Sequence, residues 1–451
     1  MPGPGAFAVA AWRGVTVTWI QRYRFRTFIE SSVWVVPLLS AVVAVVLHRV
    51  LWWVEMHTHW AWLDFSPEGA RSALSTVASA MLTFTVFTFS ILLLAVQIAG
   101  AQLSPRVISV AMQNRPLRWA LGAFVFTFAY SLGVLSRIEN VVLQLPMMVV
   151  VLGCLVSIGI FLYLVDQTAK TLRPVGIIGG IAGMADGVIA SIYPHPLKDA
   201  KGLAIEQAIS TSDEPSRTVC YQGGSGVLQA LDGPGLAEMA RRHGCTIRVA
   251  PQVGDFVTRG EPLVHLYGGG ESLSDRELHQ SIAVGIERTL RQDPAFAFRI
   301  IVDIASKALS PAINDPSTAV LALDQIHRLL RVVGRRYLGD GTIRDAEGVV
   351  RVILPTPNWE DFVNLGMSEI RFFGADSIQV VRRLRAMIEN LLAVLPESRH
   401  PALREQLELL NHTVERSYVD PADRAYAGIG DSQGVGASRR NHSTDSAVRE
   451  E

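Results

Sequence analysis

Lysine and cysteine are nearly missing from this sequence. Four lysines (Lys170, Lys198, Lys201 and Lys307) stand against 37 arginines, and 451 residues hold three cysteines, Cys154, Cys220 and Cys245. An odd cysteine set without spacing pattern excludes a disulfide framework and a cysteine-based zinc site. The preference for arginine is the mark of a GC-rich genome and points to a bacterium. Net charge is also missing, at +0, so no global field favours nucleic acid or an acidic substrate. Ionised side chains are absent from long stretches, with none between Arg71 and Arg106 and none between Glu139 and Asp166.

What is present is apolar and unevenly placed. Hydrophobic residues make up 49% of the chain, and eight of the nine tryptophans fall within the first 119 residues. Aromatic rings concentrate in this way where helices are anchored at a bilayer surface. Four apolar segments follow one another: Val33–Val54, Val77–Ala99, Trp119–Ser136 and Val141–Val165. The first, at 1.5 Å per residue, reaches roughly 33 Å, enough to cross the hydrocarbon core. The residues before it are small, then carry Arg13, Arg22, Arg24 and Arg26. This is not the order of a cleaved signal peptide, so the first span is expected to be an uncleaved anchor.

Arginine and lysine set the orientation. Arg13, Arg22, Arg24 and Arg26 precede span one; Arg106, Arg115 and Arg118 join spans two and three; Lys170 and Arg173 follow span four. The opposite loops hold Arg49, Arg71 and Arg137 beside Glu55, Asp64, Glu68 and Glu139. The positive-inside rule then puts both termini in the cytoplasm, which an even number of crossings requires.

After Arg173 the pattern changes to that of an α+β domain. Pro174–Ser191 reads as a small-residue helix leaving the membrane. Thr218–Tyr267 is β-rich, with strands at Ser225–Leu231 and Thr246–Ala250 around a helical stretch Leu236–His243, then turns at Gly254-Asp255 and Arg259-Gly260. Helical periodicity covers Asp275–Arg291, Phe296–Leu309, Ser317–Val333, Asp361–Phe373, Ser377–Leu395 and Ala402–Tyr418, while Ile343–Leu354 suits a strand pair. The expected organisation is a basic N-terminus (1–30), a four-helix transmembrane domain (31–173), a cytoplasmic α/β domain (174–426) and a disordered tail (427–451).

Several constellations invite a chemical reading. In span two, Ser72, Ser75, Ser79, Thr83, Ser90 and Gln97 recur at spacings that put them on one helical face. Such a face serves close helix packing, with hydroxyls bonded to the preceding turn, or it lines a water-filled path. No span centre carries Asp, Glu, Lys or Arg, which argues against a proton relay or ion-coupled transporter and leaves a passive pore open. The Ala129-xxx-Gly133 and Gly153-xxx-Ser157 spacings suit tight packing. His57 and His59 near Glu55 are better read as interface residues than as metal ligands. The glycines of Gly176–Gly183 lack the strand and the GxGxxG spacing of a nucleotide loop.

The segment Val253-Gly-Asp-Phe-Val-Thr-Arg-Gly-Glu-Pro-Leu263 resembles the half-motif of biotinyl- and lipoyl-type domains, which implies a small β-sandwich. No lysine lies between residues 202 and 306, so neither lipoate nor biotin can be attached there. The densest segment is 292–316. Asp293-Pro294 and Asp315-Pro316 each open a helix, and Arg299, Asp303 and Lys307 recur every four residues as a charged ridge. With Asn314 and Asp315 this ridge reads as a solvated helix face or as a subunit or membrane-proximal interface. A catalytic Asp303–Lys307 pair lacks an accompanying nucleophile or phosphate loop.

The text from Arg299 to Ala319, of the form R-x-I-V-D-I-A-x-x-A-L-S-P-x-I-N-D-P-x-T-A, resembles a bacterial family of predicted membrane proteins, domain of unknown function 2254. Arg288–Asp293 and Gly254-Asp-Phe-Val are similar to that family too, and the likeness runs from span one to about residue 420. It implies the layout already read and supplies no activity, substrate or catalytic residue.

The sequence therefore predicts a polytopic α-helical protein of the bacterial inner membrane, with about four transmembrane helices and a C-terminal α+β cytoplasmic domain containing a small β-sandwich-like segment. It predicts no enzyme activity, cofactor or metal. The lipid bilayer and further copies of the chain are the expected partners, nucleic acid is not, and the residues name no cytoplasmic partner. An oligomeric channel-like assembly is the favoured function, and a non-conducting sensor or scaffold is the alternative.

Overall fold

A computed structural model describes residues 18–58, 66–98, 100, 106, 115–138, 142, 144–171, 173–198, 214–339 and 341–436. In chain order the first helices are α1 (Trp19–Ser31), α2 (Val35–Thr58), α3 (Pro67–Ile98), α4 (Arg115–Leu135), α5 (Gln144–Thr171) and α6 (Pro174–Ile192). Then come α7 (Gly233–Arg242), α8 (Asp275–Gln280), α9 (Pro294–Ala308) and α10 (Pro316–Gly334). The last are α11 (Trp359–Phe373), α12 (Ile378–Val394), α13 (His400–Ser417) and α14 (Pro421–Ala427). The chain forms two compact units: Met1–Glu30 with Glu206–Thr289 and Asp340–Thr356, and Ser31–Ile205 with Leu290–Gly339 and Pro357–Glu451.

In the second, larger unit, α2 to α6 are all long and apolar enough to cross a membrane by length and composition. That gives five candidate spans among the described residues. α4 packs against α2, α3 and α5, and its Leu121, Phe124 and Tyr130 are fully enclosed. By contrast Leu38, Val42, Leu152, Leu155 and Leu162 are exposed, an arrangement suited to hydrocarbon rather than water. Small residues allow the close approaches. A Cβ on Gly133 would lie 3.3 Å from the His48 ring, and one on Gly153 would lie 3.1 Å from the Thr127 hydroxyl. That hydroxyl is 3.2 Å from the Ser157 hydroxyl across the α4–α5 contact. Glu55, buried on α2, accepts from the backbone N–H groups of Gln144 (2.5 Å) and Leu145 (2.9 Å). A carboxylate here satisfies amides that the first turn of α5 leaves open and complements the helix dipole.

α6 has a different setting. Ile178, Ile181, Ala182, Ala185 and Ile189 form one helical stripe and are enclosed in a core shared with α9 to α13, and α6 packs directly on α9 and α10. The glycine run of this segment is helix interior, not a phosphate loop. Asp293 accepts from Phe296 N at 2.9 Å and Asp315 from Thr318 N at 3.1 Å, so both Asp-Pro pairs cap their helices. Asn358 and Asp361 form a reciprocal capping box at the start of α11. After Ala427 the chain does not leave the fold at once. The buried Arg382 of α12 lies 3.9 Å from the Tyr426 ring centroid and donates to the carbonyls of Ile429 (2.9 Å) and Gly436 (3.1 Å). Residues 437–451 of the expected tail lie outside the described residues.

The smaller unit holds two sheets. The strands are β1 (Arg217–Cys220), β2 (Gly226–Leu231), β3 (Thr246–Val249), β4 (Phe256–Val257), β5 (Pro262–Tyr267), β6 (Ile282–Gly285), β7 (Thr342–Arg344) and β8 (Val350–Ile353). One sheet runs β1-β5-β3-β8-β7 and the other β4-β2-β6. Leu228 and Val257 from the second meet Ile247, Val264, Leu266 and Val352 from the first in one core. The arms of the Gly254–Pro262 turn segment enter different sheets, and Gly254 (φ 101°) and Gly260 (φ 94°) supply the left-handed backbone that this route needs. The expected helix Asp275–Arg291 is corrected: it ends at Gln280, and Ile282–Gly285 is a strand paired with β2. The charged start of that segment has helical spacing, but its β-branched continuation found a distant edge to pair with. α1 belongs to this unit too. Trp19 and Tyr23 pack with Ala230 and Ala283, and the Tyr23 hydroxyl lies 3.5 Å from that of Thr289.

Candidate functional site

α3 carries two faces of different character. Ala70, Leu74, Ala78, Met81 and Thr88 are buried against the other helices. Ser72, Ser75, Ser79, Thr83, Ser90 and Gln97 are all exposed, on the side turned away from those neighbours. Thr83 donates to Ser79 O and Ser90 to Val86 O, each at 3.0 Å, so these two hydroxyls are satisfied by their own helix. The side chains of Ser72, Ser75, Ser79 and Gln97 have no hydrogen-bond partner among the described residues. The stripe predicted from spacing is thus one continuous face, and it is not the face on which α3 packs within its own chain.

Just beyond the C-terminal end of α3 lies the charged ridge of α9. Lys307 Nζ donates to the Gly100 carbonyl at 2.8 Å. Arg106 pairs with Asp303. Asp303 also accepts from Arg299 Nε at 2.6 Å, and the Arg299 guanidinium forks onto both oxygens of Glu369 on α11, with Nη2 to Oε2 at 2.6 Å. The result is a chain of alternating charge, Arg106–Asp303–Arg299–Glu369, in which Arg299 and Asp303 keep only 21% and 17% of their side chains exposed. Planar guanidinium forks on carboxylates fix direction as well as charge. The hydrogen bond from Arg299 holds the Glu369 carboxyl below the usual carboxylate range, and the same bond raises Arg299.

The remaining predicted residues of this segment do other work. Asp315 caps α10, accepting also from the Thr318 hydroxyl at 2.5 Å. Asn314 holds a left-handed backbone conformation (φ 48°) in the turn between α9 and α10, with its N–H on Ser310 O at 2.9 Å. Neither joins the ion chain. Arg106 and Glu369 do, and sequence reading missed both: one follows span two, the other is 70 residues beyond Arg299, and no local spacing links them to the ridge. His57, weighed above as a metal ligand, donates its Nδ1–H to the Trp53 carbonyl of its own helix at 2.7 Å, and His59 lies outside the described residues. Cys245 is buried, which pushes its thiol up and away from nucleophilic use.

Comparison with known proteins agrees with this architecture and goes no further. An uncharacterized protein of Mycobacterium bovis and one of Mycobacterium tuberculosis are each 29% identical to this chain over 420 residues, covering 88% of it and 79% of their own length. No solved structure matches. The model of the family described as "Predicted membrane protein (DUF2254)" matches residues 30–390, and the chain belongs to that family of membrane proteins.

Proposed function

We propose that this protein crosses a bacterial inner membrane four times, through α2 to α5, with both termini in the cytoplasm, and that copies assemble through the outward face of α3 into a channel-like homo-oligomer. The observation that carries the assembly is the exposed polar face of α3. In hydrocarbon the unpartnered hydroxyls and the Gln97 amide would each forfeit hydrogen bonds at a cost of about 1–3 kcal/mol. Another copy or a column of water removes that cost. Four helices make a thin wall, so a conducting path requires several copies.

Contacts within each unit support the count of four. α1 precedes the first crossing, yet it packs on strands that follow α6, so the two share one side of the membrane. The end of α3 meets α9 through Lys307 and Asp303, which favours an even number of crossings between them. α4 and α5 supply two, and both contacts support an α6 that does not cross. The enclosed stripe of α6 gives its apolar residues a partner outside lipid. The two sheets over one core support a β-sandwich-like segment.

The test is flux. Protein reconstituted into liposomes should pass ions or small solutes, and Ser79→Leu or Thr83→Leu should abolish passage while insertion and stability are retained. Silent vesicles with verified insertion overturn the channel reading. The second reading, a non-conducting sensor or scaffold, is favoured by one feature, the ion chain that ties the end of α3 to α9 and α11. It predicts loss of assembly or partner capture on charge reversal at Arg299, with no flux in either protein.

A further inference from the structure

A cleft of about 1300 Å³ opens in the larger unit between α10, the 196–198 segment and the end of α12. Its lining is strongly cationic: Lys198, Arg328, Arg331, Arg335 and Arg336. Among the described residues the carboxylate on that lining is Asp324, and it is already held by Arg383 at 2.7 Å. Arg328 is partnered by Asp186, and Arg336 donates to Pro194 O at 3.0 Å. Lys198, Arg331 and Arg335 have no partner among the described residues. Among the described residues, three cations without a partner therefore share one concavity, where the low-dielectric walls focus their field.

Spacing gives the ligand's dimensions. Arg328, Arg331 and Arg335 lie at i, i+3 and i+7, one face of α10 and its C-terminal cap, over about 10 Å of helix axis. That length suits two or three linked phosphates better than a single small anion. Guanidinium forks match phosphate oxygens bidentately. The negative end of the α10 dipole keeps the cations stable there without carboxylates. Leu197, Val332 and Leu395 add an apolar wall against which an organic moiety can lie. His327 is wall rather than ligand. Arg383 donates to its Nδ1 at 3.1 Å, so Nε2 carries the hydrogen and donates to Asn390 Oδ1 at 2.9 Å.

We infer that this cleft is a binding site for a phosphate-bearing anion with two or more negative charges in line, either a soluble polyphosphate compound or the two-phosphate headgroup of a phospholipid of the cardiolipin type. Nothing in the proposed channel function uses these residues, so the site stands or falls separately from it.

The test is binding to the full-length protein in nanodiscs. Calorimetry with inorganic tripolyphosphate and with ATP probes the soluble source; nanodiscs with and without cardiolipin, which carries two phosphates, probe the lipid source through the thermal midpoint. The variant is Arg331→Gln with Arg335→Gln, which removes no side-chain hydrogen bond or ion pair among the described residues; Lys198→Gln serves if the double variant folds poorly. Saturable binding of either soluble probe, weakened at least tenfold in the variant, identifies a soluble ligand. A midpoint raised by cardiolipin in the wild type and unchanged in the variant identifies the lipid. Equal responses of wild type and variant, or none to any probe, overturn the inference.

Discussion

Arg106 and Asp303, 197 residues apart in the chain, form an ion pair that joins the segment after α3 to the middle of α9. Asp303 is mostly enclosed and Arg106 is about half exposed, so solvent screens part of the attraction. A double-mutant cycle of Arg106→Ala and Asp303→Ala should return a coupling near 1 kcal/mol in detergent. Strictly additive losses in thermal denaturation would mean that the pair contributes nothing.

Glu55 is the cap that α5 lacks in its own sequence. Glu55→Ala removes the carboxylate that two amides at the start of α5 donate to and should destabilise the membrane unit by about 2 kcal/mol. Glu55→Gln keeps an oxygen and loses the charge, so its midpoint should fall between the two. Wild-type stability of the alanine variant in detergent would contradict the cap.

The two faces of α3 and α4 should respond oppositely to bulk. Gly133→Leu drives a side chain into the His48 ring and should abolish a folded monomer, since overpacking costs about 1–3 kcal/mol or more. Ser79→Leu adds bulk to an exposed position and should leave the monomer intact. Size-exclusion profiles and melting curves of the two variants separate these outcomes.

Burial holds His327 below the usual histidine range, with Arg383 and Arg331 adding repulsion against a proton; the Asn390 hydrogen bond and Asp324 act the other way. The unfolded chain therefore takes up this proton at a higher pH than the folded one does. Stability from this group is complete above about 6.5 and is lost as pH falls through the lower folded value. Melting temperatures from pH 7.5 to 5.0 should decline less steeply for His327→Gln than for the wild type. Parallel curves would exclude the histidine as a source of the slope.

How much of this was legible in the sequence follows from the range of each interaction. The apolar helices were found because hydrocarbon imposes a uniform requirement along their length, but α3 begins at Pro67, ten residues before the expected Val77, since its first turns are too polar to read as a span. α9 and α10 were found because Asp-Pro pairs announce helix starts locally. The polar residues of α3 were placed on one face by arithmetic, but spacing alone does not say which way a face points, and that depends on where α4 and α5 lie. β6 was misread as helix because its reason for being a strand is β2, some fifty residues earlier. The same applies to Arg106 and Glu369, whose roles exist only once distant segments have met.

The enclosed stripe of α6 also bears on how the protein is made. On the proposed count of four crossings, the ribosome releases this apolar helix about a hundred residues before α9 and α10 emerge. At roughly 5–20 residues per second, that leaves an interval of about 5–20 s in which the insertion machinery meets α6 without its eventual neighbours. Four crossings then predict kinetic control at this point: slowing translation between codons 192 and 294 should increase the fraction of chains in which α6 is threaded across the membrane.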